Sequence, residues 1–223
     1  MNSKFQTLNF SLTDGIGMLE MNQPPSNLMS LRFFSELEGM VSEMKRMNGL
    51  EALVISGAGR HFSSGAALDE LFSLVDDKES NNPEQAISPM LELLTRNNIS
   101  FLFFEQAQFP VITAIKGVCL GSAMELALFS HFRFCSEDAV LGLPETTFGL
   151  MPGIGGISAI SAISGQAIAI ELALKGNTFT ASEAKDFHLV DALFPKKEVI
   201  PAAVEFAKSI MRGYRKEKRP LYL

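Results

Sequence analysis

The chain has 223 residues, of which 47% are hydrophobic, and a formal net charge of −6. A chain of this length buries about 70% of the surface that it exposes when unfolded, so we expect a globular protein with one main domain. The negative charge argues against a nucleic-acid-binding protein, because such a protein normally presents a basic face.

The sequence also argues against a secreted protein, a membrane protein and a zinc protein. The N-terminal residues lack the apolar core of a signal peptide, and no segment has the roughly 18 uncharged apolar residues of a membrane helix. The two cysteines, Cys119 and Cys135, belong to no C-x-x-C or Cys/His pair of the kind that binds zinc. We therefore expect a cytoplasmic protein with no membrane segment and no metal site.

The N-terminal quarter of the chain predicts a β-hairpin followed by a helix. Apolar and polar residues alternate over Phe5–Leu12 and resume over Ile16–Met21, with the composition of a tight turn between them. Ser30 can cap a helix, and apolar residues recur after it at helical spacing. We therefore predict an amphipathic helix over Leu31–Met47.

The rest of the chain alternates short apolar strands with helices. Strands are predicted at Ala52–Ser56, Pro110–Ile115, Phe132–Ser136 and Val140-Leu141. Helices are predicted from about Leu68, around Glu125 and over Ala202–Met211, and the charged segment Asp76–Pro83 is predicted to be a loop. Strands and helices that are interleaved in this way favour an α/β fold.

Two glutamates stand beside glycine-rich turns. Glu125 follows the small residues Gly121–Met124, and Glu145 precedes the turn Gly153–Gly156. A glutamate in an apolar segment is usually a solvated or a neutralised group. Backbone N–H groups at such turns, however, can approach a ligand and stabilise an anion beside a carboxylate. The pair could then supply a base and an acid for moving a proton and a water.

Two further glycine turns follow two of the predicted strands. Phe62–Ala66 comes after the strand Ala52–Ser56, and Gly117–Ser122 comes after the strand Pro110–Ile115. Backbone amides at two such strand ends could hold one oxygen atom from two sides, as an oxyanion hole does. The alternative is that these glycines only permit tight turns.

Four segments, in the same order along the chain, resemble the crotonase superfamily, which is also called the enoyl-CoA hydratase/isomerase family. His61–Leu68 resembles its F-S-A-G-A-D-L segment, and Ile115–Ala127 resembles V-N-G-x-A-x-G-G-G-x-E-L-A. Leu143–Gly156 resembles P-E-x-x-x-G-x-x-P-G-x-G-G, and Thr180–Pro195 resembles A-x-E-A followed by G-L-V and V-x-P. The resemblance implies a crotonase-like α/β fold, which is a spiral of strand-strand-helix units with a short helical C-terminal region.

The resemblance also implies a site for a thioester substrate carried on coenzyme A, with no metal or other cofactor. The N–H groups of Ala66 and Ser122 are expected to form the oxyanion hole, and that of Gly153 to help orient the catalytic pair and its water. Glu125 and Glu145 are the expected catalytic pair, with Glu145 as the acid that protonates the α-carbon. The residues expected to bind substrate are Ser64, Gly65, Ala67, Leu68 and Gly121.

The chain departs from the family pattern in two regions. It has Ala67-Leu68-Asp69 where the family has A-D-L-K, so a basic contact to the CoA phosphates is lost and an acyl-carrier protein is an alternative carrier. Family members also continue further through C-terminal helices, so we expect a core domain over residues 1–195 and a shortened C-terminal helix with a basic tail over residues 196–223. The cations of that tail could hold a phosphate or could be solvated. The assembly implied by the resemblance is a homotrimer or a dimer of trimers.

Three hypotheses for function follow. The presence of both acids favours hydration of a 2-enoyl-CoA thioester, or the reverse dehydration, because family members with a single acid tend to catalyse other reactions. Double-bond isomerisation in the same pocket is the first alternative. The second is a catalytically silent subunit that binds acyl-CoA or an acyl-carrier protein, which the altered phosphate contact and the short C-terminal region favour.

Overall fold

Two β-sheets form the framework of the protein in a computed structural model, which describes residues 5–74 and 83–214, without the side chains of residues 83–88 and 212–214. The strands are β1 (Leu8–Thr13), β2 (Ile16–Met21), β3 (Ala52–Gly57), β4 (Val111–Ile115), β5 (Val118–Leu120), β6 (Phe132–Ser136), β7 (Val140–Gly142), β8 (Thr178–Thr180) and β9 (Ala192–Phe194). The large sheet has six strands in the order β1-β2-β3-β4-β6-β9, and the small sheet has three in the order β5-β7-β8.

The strand pairings give the fold its strand-strand-helix rhythm. β1 and β2 pair antiparallel, which confirms the predicted hairpin, and the other pairs of the large sheet are parallel. In the small sheet β5 runs parallel to β7, and β7 runs antiparallel to β8. The consecutive strands β4 and β5 lie in different sheets, and so do β6 and β7. The chain therefore passes twice from the large sheet to the small one before it enters a helix.

The helices cover these sheets and connect their strands. They are α1 (Leu31–Met44), α2 (Leu68–Ser73), α3 (Pro83–Glu105), α4 (Ser122–Leu128), α5 (Gly156–Ser164), α6 (Gln166–Lys175), α7 (Ala181–Asp186) and α8 (Val199–Tyr214), with a 3-10 helix over Pro144–Phe148. Within the described part of the chain, none of them combines the length and the apolarity that a membrane-crossing helix needs.

The start of α1 is confirmed as predicted, but its end is not. The Ser30 side chain accepts a hydrogen bond from the N–H of Phe33 at 3.1 Å, which is the expected N-cap. The predicted helix reached Met47, whereas α1 ends at Met44. The N–H groups of Arg46 and Met47 bond to carbonyls three residues earlier, so the last turn tightens into 3-10 geometry.

The predicted strands are confirmed, except that the first begins at Leu8 and not at Phe5. The C-terminal helix is longer than predicted. It begins at Val199, three residues before Ala202, because Pro201 lies in the first turn, where a helix tolerates proline. Of the predicted loop Asp76–Pro83, residues 76–82 lie outside the described residues, and Pro83 begins α3. The basic tail beyond residue 214 also lies outside them.

Helices pack on both faces of the large sheet. Side chains of β3 alternate between two apolar clusters: Leu53 and Ile55 join the larger cluster with α1 and α3, while Val54 joins the smaller cluster with α8. On α8, Ala203 and Ala207 are fully buried against this second face. The C-terminal helix therefore completes one layer of the core, and a domain boundary after residue 195 stays a prediction.

Gly57 ends β3 at a close approach between two segments of backbone. A Cβ atom added at Gly57 would lie 2.2 Å from the carbonyl oxygen of Phe62 and 2.4 Å from that of His61. We expect Gly57→Ala to lower the free energy of unfolding by about 3 kcal/mol, because backbone atoms cannot move aside as a side chain can. Denaturation in urea measures this loss.

Gly49→Ala is the control for this prediction. A Cβ atom at Gly49 would meet nothing within 4 Å, and the residue has a φ of +81°. Its substitution should cost about 1–2 kcal/mol, the strain of a left-handed conformation alone. A smaller loss for Gly57→Ala than for Gly49→Ala would contradict the close approach.

Candidate active site

The two segments that the sequence predicts to form an oxyanion hole lie side by side. Ser63 and Cys119 form an isolated parallel bridge. The N–H of Ser63 donates to the carbonyl of Val118 at 3.1 Å, and the N–H of Leu120 donates to the carbonyl of Ser63 at 3.2 Å. Because the segments run in the same direction, their ends at Ala66 and Ser122 reach the same cavity.

Gly65 is the point where these two segments touch. Its φ is +89°, and an added Cβ atom would lie 2.5 Å from the carbonyl oxygen of Leu120 and 3.5 Å from the nitrogen of Ser122. Only glycine fits both the conformation and the space. Among the described residues, the N–H groups of Ala66 and Ser122 have no hydrogen-bond acceptor, and Ser122 is the first residue of α4. The cavity therefore has two adjacent donors that can hold an oxyanion.

Glu125 lies in the first turn of α4 and is 1% exposed. Its Oε1 atom accepts hydrogen bonds from the N–H groups of Ile154 and Gly156, both at 2.9 Å. Burial raises the pKa of Glu125, and the N–H groups of Gly156 and Ile154 act against this rise. The carboxyl is thus buried but has two fixed donors on one oxygen.

Glu145 lies in the 3-10 helix and faces the same cavity with a different environment. Its Oε2 atom is buried and has no hydrogen-bond partner in the described part of the chain. Burial raises the pKa of Glu145 to about 7, and the negative charge of Glu125 acts in the same direction. The Oε1 atom lies against Gly121, because a Cβ atom added there would come within 2.9 Å of it. Glu145 is therefore a carboxyl that can hold or release a proton near neutral pH.

The cavity has a volume of about 240 Å³ and a mainly apolar wall. The apolar side chains are those of Leu68, Leu71, Met90, Leu94, Leu120, Pro144, Phe148, Leu150, Met151 and Ile154. The residues predicted from the sequence to form the site all line this cavity, with the exception of Ala67. The side chain of Ala67 is 6% exposed, and its N–H donates to the carbonyl of Met29 at 3.1 Å. Ala67 packs into the protein, because neighbouring side chains of an extended segment point in opposite directions.

Sequence reasoning missed the donors that hold Glu125 and most of the apolar wall. The glycines of residues 153–156 located the turn, but the N–H groups bonded to Glu125 are those of Ile154 and Gly156. Gly153 lines the cavity, and its role in orienting water stays a prediction. Met90 and Leu94 of α3 carry no motif, so only the fold could place them here.

This arrangement suits proton transfer next to a carbonyl group. Two backbone donors stand where an enolate oxygen could bind, and two carboxyls share the cavity with them. No group of three or more His, Cys, Asp or Glu side chains that could hold a metal ion occurs within residues 5–74 and 83–214. The catalytic roles of Glu125 and Glu145 stay predictions.

The sequence matches one family of enzymes. The family model described as enoyl-CoA hydratase/isomerase matches residues 11–221. The peroxisomal Delta(3,5)-Delta(2,4)-dienoyl-CoA isomerase of Arabidopsis thaliana is 34% identical over 188 residues, which are 83% of this chain and 68% of that protein. A Bacillus subtilis protein named as a probable enoyl-CoA hydratase is 32% identical over 205 residues, which are 92% of this chain and 74% of that protein.

The solved structures agree with the family model. A Thermobifida fusca protein in complex with CoA has a TM-score of 0.81 and 25% identity, over 94% of this chain and 81% of that one. The crotonase-like α/β fold predicted from the sequence is therefore confirmed. From the extent of the family match and the identity to its members, the chain belongs to the enoyl-CoA hydratase/isomerase family, the crotonase superfamily, and is an enzyme of that type.

Proposed function

We propose that this protein hydrates a 2-enoyl-CoA thioester or catalyses the reverse dehydration. The observation that carries the proposal is a pair of carboxyls with unlike environments on one cavity. Glu125 has two donors on one oxygen, and Glu145 has a buried oxygen without a partner in the described residues. Hydration needs two such groups, because one takes a proton from water while the other gives a proton to carbon.

The oxyanion donors stabilise the charge that develops during this reaction. In the proposed complex the thioester carbonyl oxygen accepts hydrogen bonds from the N–H groups of Ala66 and Ser122. When water adds to the β-carbon, the electrons of the double bond move towards this oxygen and form an enolate. Donors that are already fixed in place stabilise the enolate without reorganisation, which lowers the barrier.

The two glutamates divide the proton transfers between them. Two hydrogen bonds to Oε1 favour the ionised form of Glu125, so Glu125 takes a proton from water as the water oxygen bonds to the β-carbon. Burial raises the pKa of Glu145 to about 7, so Glu145 keeps its proton up to about that pH. Glu145 then gives this proton to the α-carbon. Exchange of one proton with solvent then restores both groups.

The wall of the cavity and a solved relative support an acyl-CoA as the substrate. The apolar side chains suit an aliphatic acyl chain, and the Thermobifida fusca relative was solved with CoA. The first turn of α2 carries Asp69 and Glu70, which would repel a phosphate at that position. An acyl-carrier protein therefore stays the alternative carrier. The homotrimer or dimer of trimers and the cytoplasmic location stay predictions as well.

Double-bond isomerisation is the second candidate function. It is favoured by the 34% identity to the Arabidopsis thaliana dienoyl-CoA isomerase. An isomerase moves a proton between two carbon atoms, so one carboxyl is enough and no water is added. Mass spectrometry of the product separates the two reactions, because only hydration adds the mass of a water molecule.

Replacing either glutamate by glutamine keeps its size and removes its proton-transfer function. We expect Glu125→Gln and Glu145→Gln each to lower kcat/KM for short and medium 2-enoyl-CoAs by about 10²- to 10⁴-fold. The loss of absorbance of the conjugated enoyl thioester measures this rate. The exposed Glu137 lies outside the cavity, so Glu137→Gln should keep full activity. Unchanged turnover in both catalytic variants would show that the two-carboxyl mechanism is wrong, and loss in only one would favour the isomerase.

The pH dependence of hydration should report the proton on Glu145. This group must be protonated to act as the acid, and its pKa is raised to about 7, so kcat/KM should fall as the pH rises through about 7. The pH dependence of kcat/KM reports groups of the free enzyme, and unfolding curves at each pH exclude denaturation. A kcat/KM that rises through this range would mean that Glu145 acts as a base.

Thermal protection should identify the carrier. If CoA binds the folded protein, a CoA concentration of 100 times the Kd should raise the free energy of unfolding by about 2.7 kcal/mol and raise the Tm. An acyl-carrier protein at the same concentration should not change the Tm. Adenosine at the same concentration is the control for weak binding of the adenosine part of CoA. Protection by the acyl-carrier protein alone would replace coenzyme A in the proposal.

A further inference from the structure

We propose that Asn98 on α3 is a positioning residue that fixes the Glu125 carboxyl through the turn over residues 153–156. The inference rests on the proposed role of Glu125. Asn98 Nδ2 donates a hydrogen bond to the carbonyl oxygen of Ile154 at 2.6 Å. This carbonyl lies in the chain between the N–H of Ile154 and the N–H of Gly156, which both donate to Glu125 Oε1 at 2.9 Å. Asn98 therefore holds the middle of the segment that holds the carboxyl.

The turn needs such an anchor because it is rich in glycine. Gly155 has a φ of +120°, and Gly153 and Gly156 flank the Ile154-Gly155 pair. Glycine samples more backbone conformations than any other residue, so the orientation of these peptide groups is costly to fix. A rotation of one peptide group would turn an N–H away from Glu125 and leave a buried carboxyl without its donor.

Asn98 belongs to a face of α3 that packs along this turn. Leu94 and Asn98 lie one helical turn apart on that face. A Cβ atom added at Gly153 would lie 3.0 Å from Leu94 Cδ1, and one added at Gly155 would lie 3.2 Å from Asn98 Nδ2. Leu94 contributes contact area alone, whereas the amide of Asn98 can fix the direction of a carbonyl group.

The same face of α3 also contacts the helix that carries Glu125. The ring of Phe101, three residues after Asn98, packs edge-to-face on that of Phe129, with 5.9 Å between the ring centroids. Phe129 is the C-cap of α4, and its Cζ atom would lie 3.0 Å from a Cβ atom at Gly155. One helix face thus sets the distance between the turn and α4, and Asn98 sets the rotation of the turn.

The expected consequence of losing Asn98 is a change in proton affinity at Glu125. Burial raises the pKa of Glu125, and the N–H groups of Gly156 and Ile154 lower it. When the turn is free to rotate, these bonds weaken and the pKa of Glu125 rises further. Among the described residues, Glu145 is the other ionisable group that lines this cavity, whereas Asn98 does not line it. The change should therefore appear at Glu125.

Kinetics on a 2-enoyl-CoA test this role. Asn98→Leu keeps a similar volume and removes the donor, so we expect kcat to fall about 10- to 100-fold, as for a misplaced reacting group. The KM should stay within about 3-fold, because Asn98 does not line the cavity. The acid limb of the pH profile of kcat should move to higher pH.

The matched control is Thr95→Val, which removes a hydroxyl that donates to the carbonyl of Leu91 at 2.8 Å on the exposed side of α3. This substitution should leave kcat and the pH profile unchanged.

A titration independent of turnover tests the same inference. Nuclear magnetic resonance of protein labelled with ¹³C at the glutamate carboxyls reports the pH midpoint at which each carboxyl titrates. The signal that is lost in Glu125→Gln is assigned to Glu125. The Glu125 midpoint should be higher in Asn98→Leu than in the wild type. Asn98→Ser, whose side chain is too short to reach Ile154, should show the same shift and replaces Asn98→Leu if that variant does not fold.

The outcomes separate this inference from the proposed function. A Glu125 midpoint that is equal in the wild type and the Asn98 variants overturns the positioning role, and so does a raised KM with an unchanged kcat. A wild type that folds but turns over no enoyl-CoA overturns the proposed function, and the titration then still decides the role of Asn98.

Discussion

The structure of the site depends on the two hydrogen bonds that Glu125 Oε1 accepts from the backbone of Ile154 and Gly156. A carboxyl that is 1% exposed would destabilise the fold if it had no partner. Glu125 finds its partners only if the N-terminal turn of α4 and the segment before α5 lie at one fixed distance. The first turn of α4 also supplies the N–H of Ser122, so the same contact places the proposed oxyanion donor and the carboxyl together.

The fold distinguishes two identical side chains by their surroundings. Glu125 lies in a helix and accepts hydrogen bonds from a neighbouring turn. Glu145 lies in a short 3-10 helix, and one oxygen of its carboxyl is buried with no hydrogen-bond partner among the described residues. Burial raises the pKa of both carboxyls. The N–H groups of Gly156 and Ile154 oppose this rise at Glu125, and the N–H of Glu145 itself opposes it at Glu145. The proposed division into a base and an acid rests on this difference in surroundings.

The sequence predicts those parts of the protein that depend on local patterns. The hairpin, the Ser30 cap of α1 and the buried strands are all set by neighbours within a few residues, and the glycine turns mark the oxyanion segments. The placement of Asn98 could not be predicted, because the apolar spacing of α3 does not reveal which turn its face will meet. Ala67 was assigned to the site from its position in a motif, yet its side chain packs inward. The end of α1 shifted for a similar reason, since a 3-10 turn has no clear signature in sequence.

The bridge between Ser63 and Cys119 has a consequence for how this protein can change over generations. The proposed oxyanion donors are main-chain groups, and the two segments of backbone that carry them are joined by main-chain hydrogen bonds. Most codon changes alter side chains and leave such donors in place, while a single change at the codon for Glu125 or Glu145 removes an acid. In the proposed mechanism, loss of catalysis is thus an easier evolutionary step than loss of ligand binding. A duplicated copy of this gene could become a sensor or a carrier for its former substrate through one substitution.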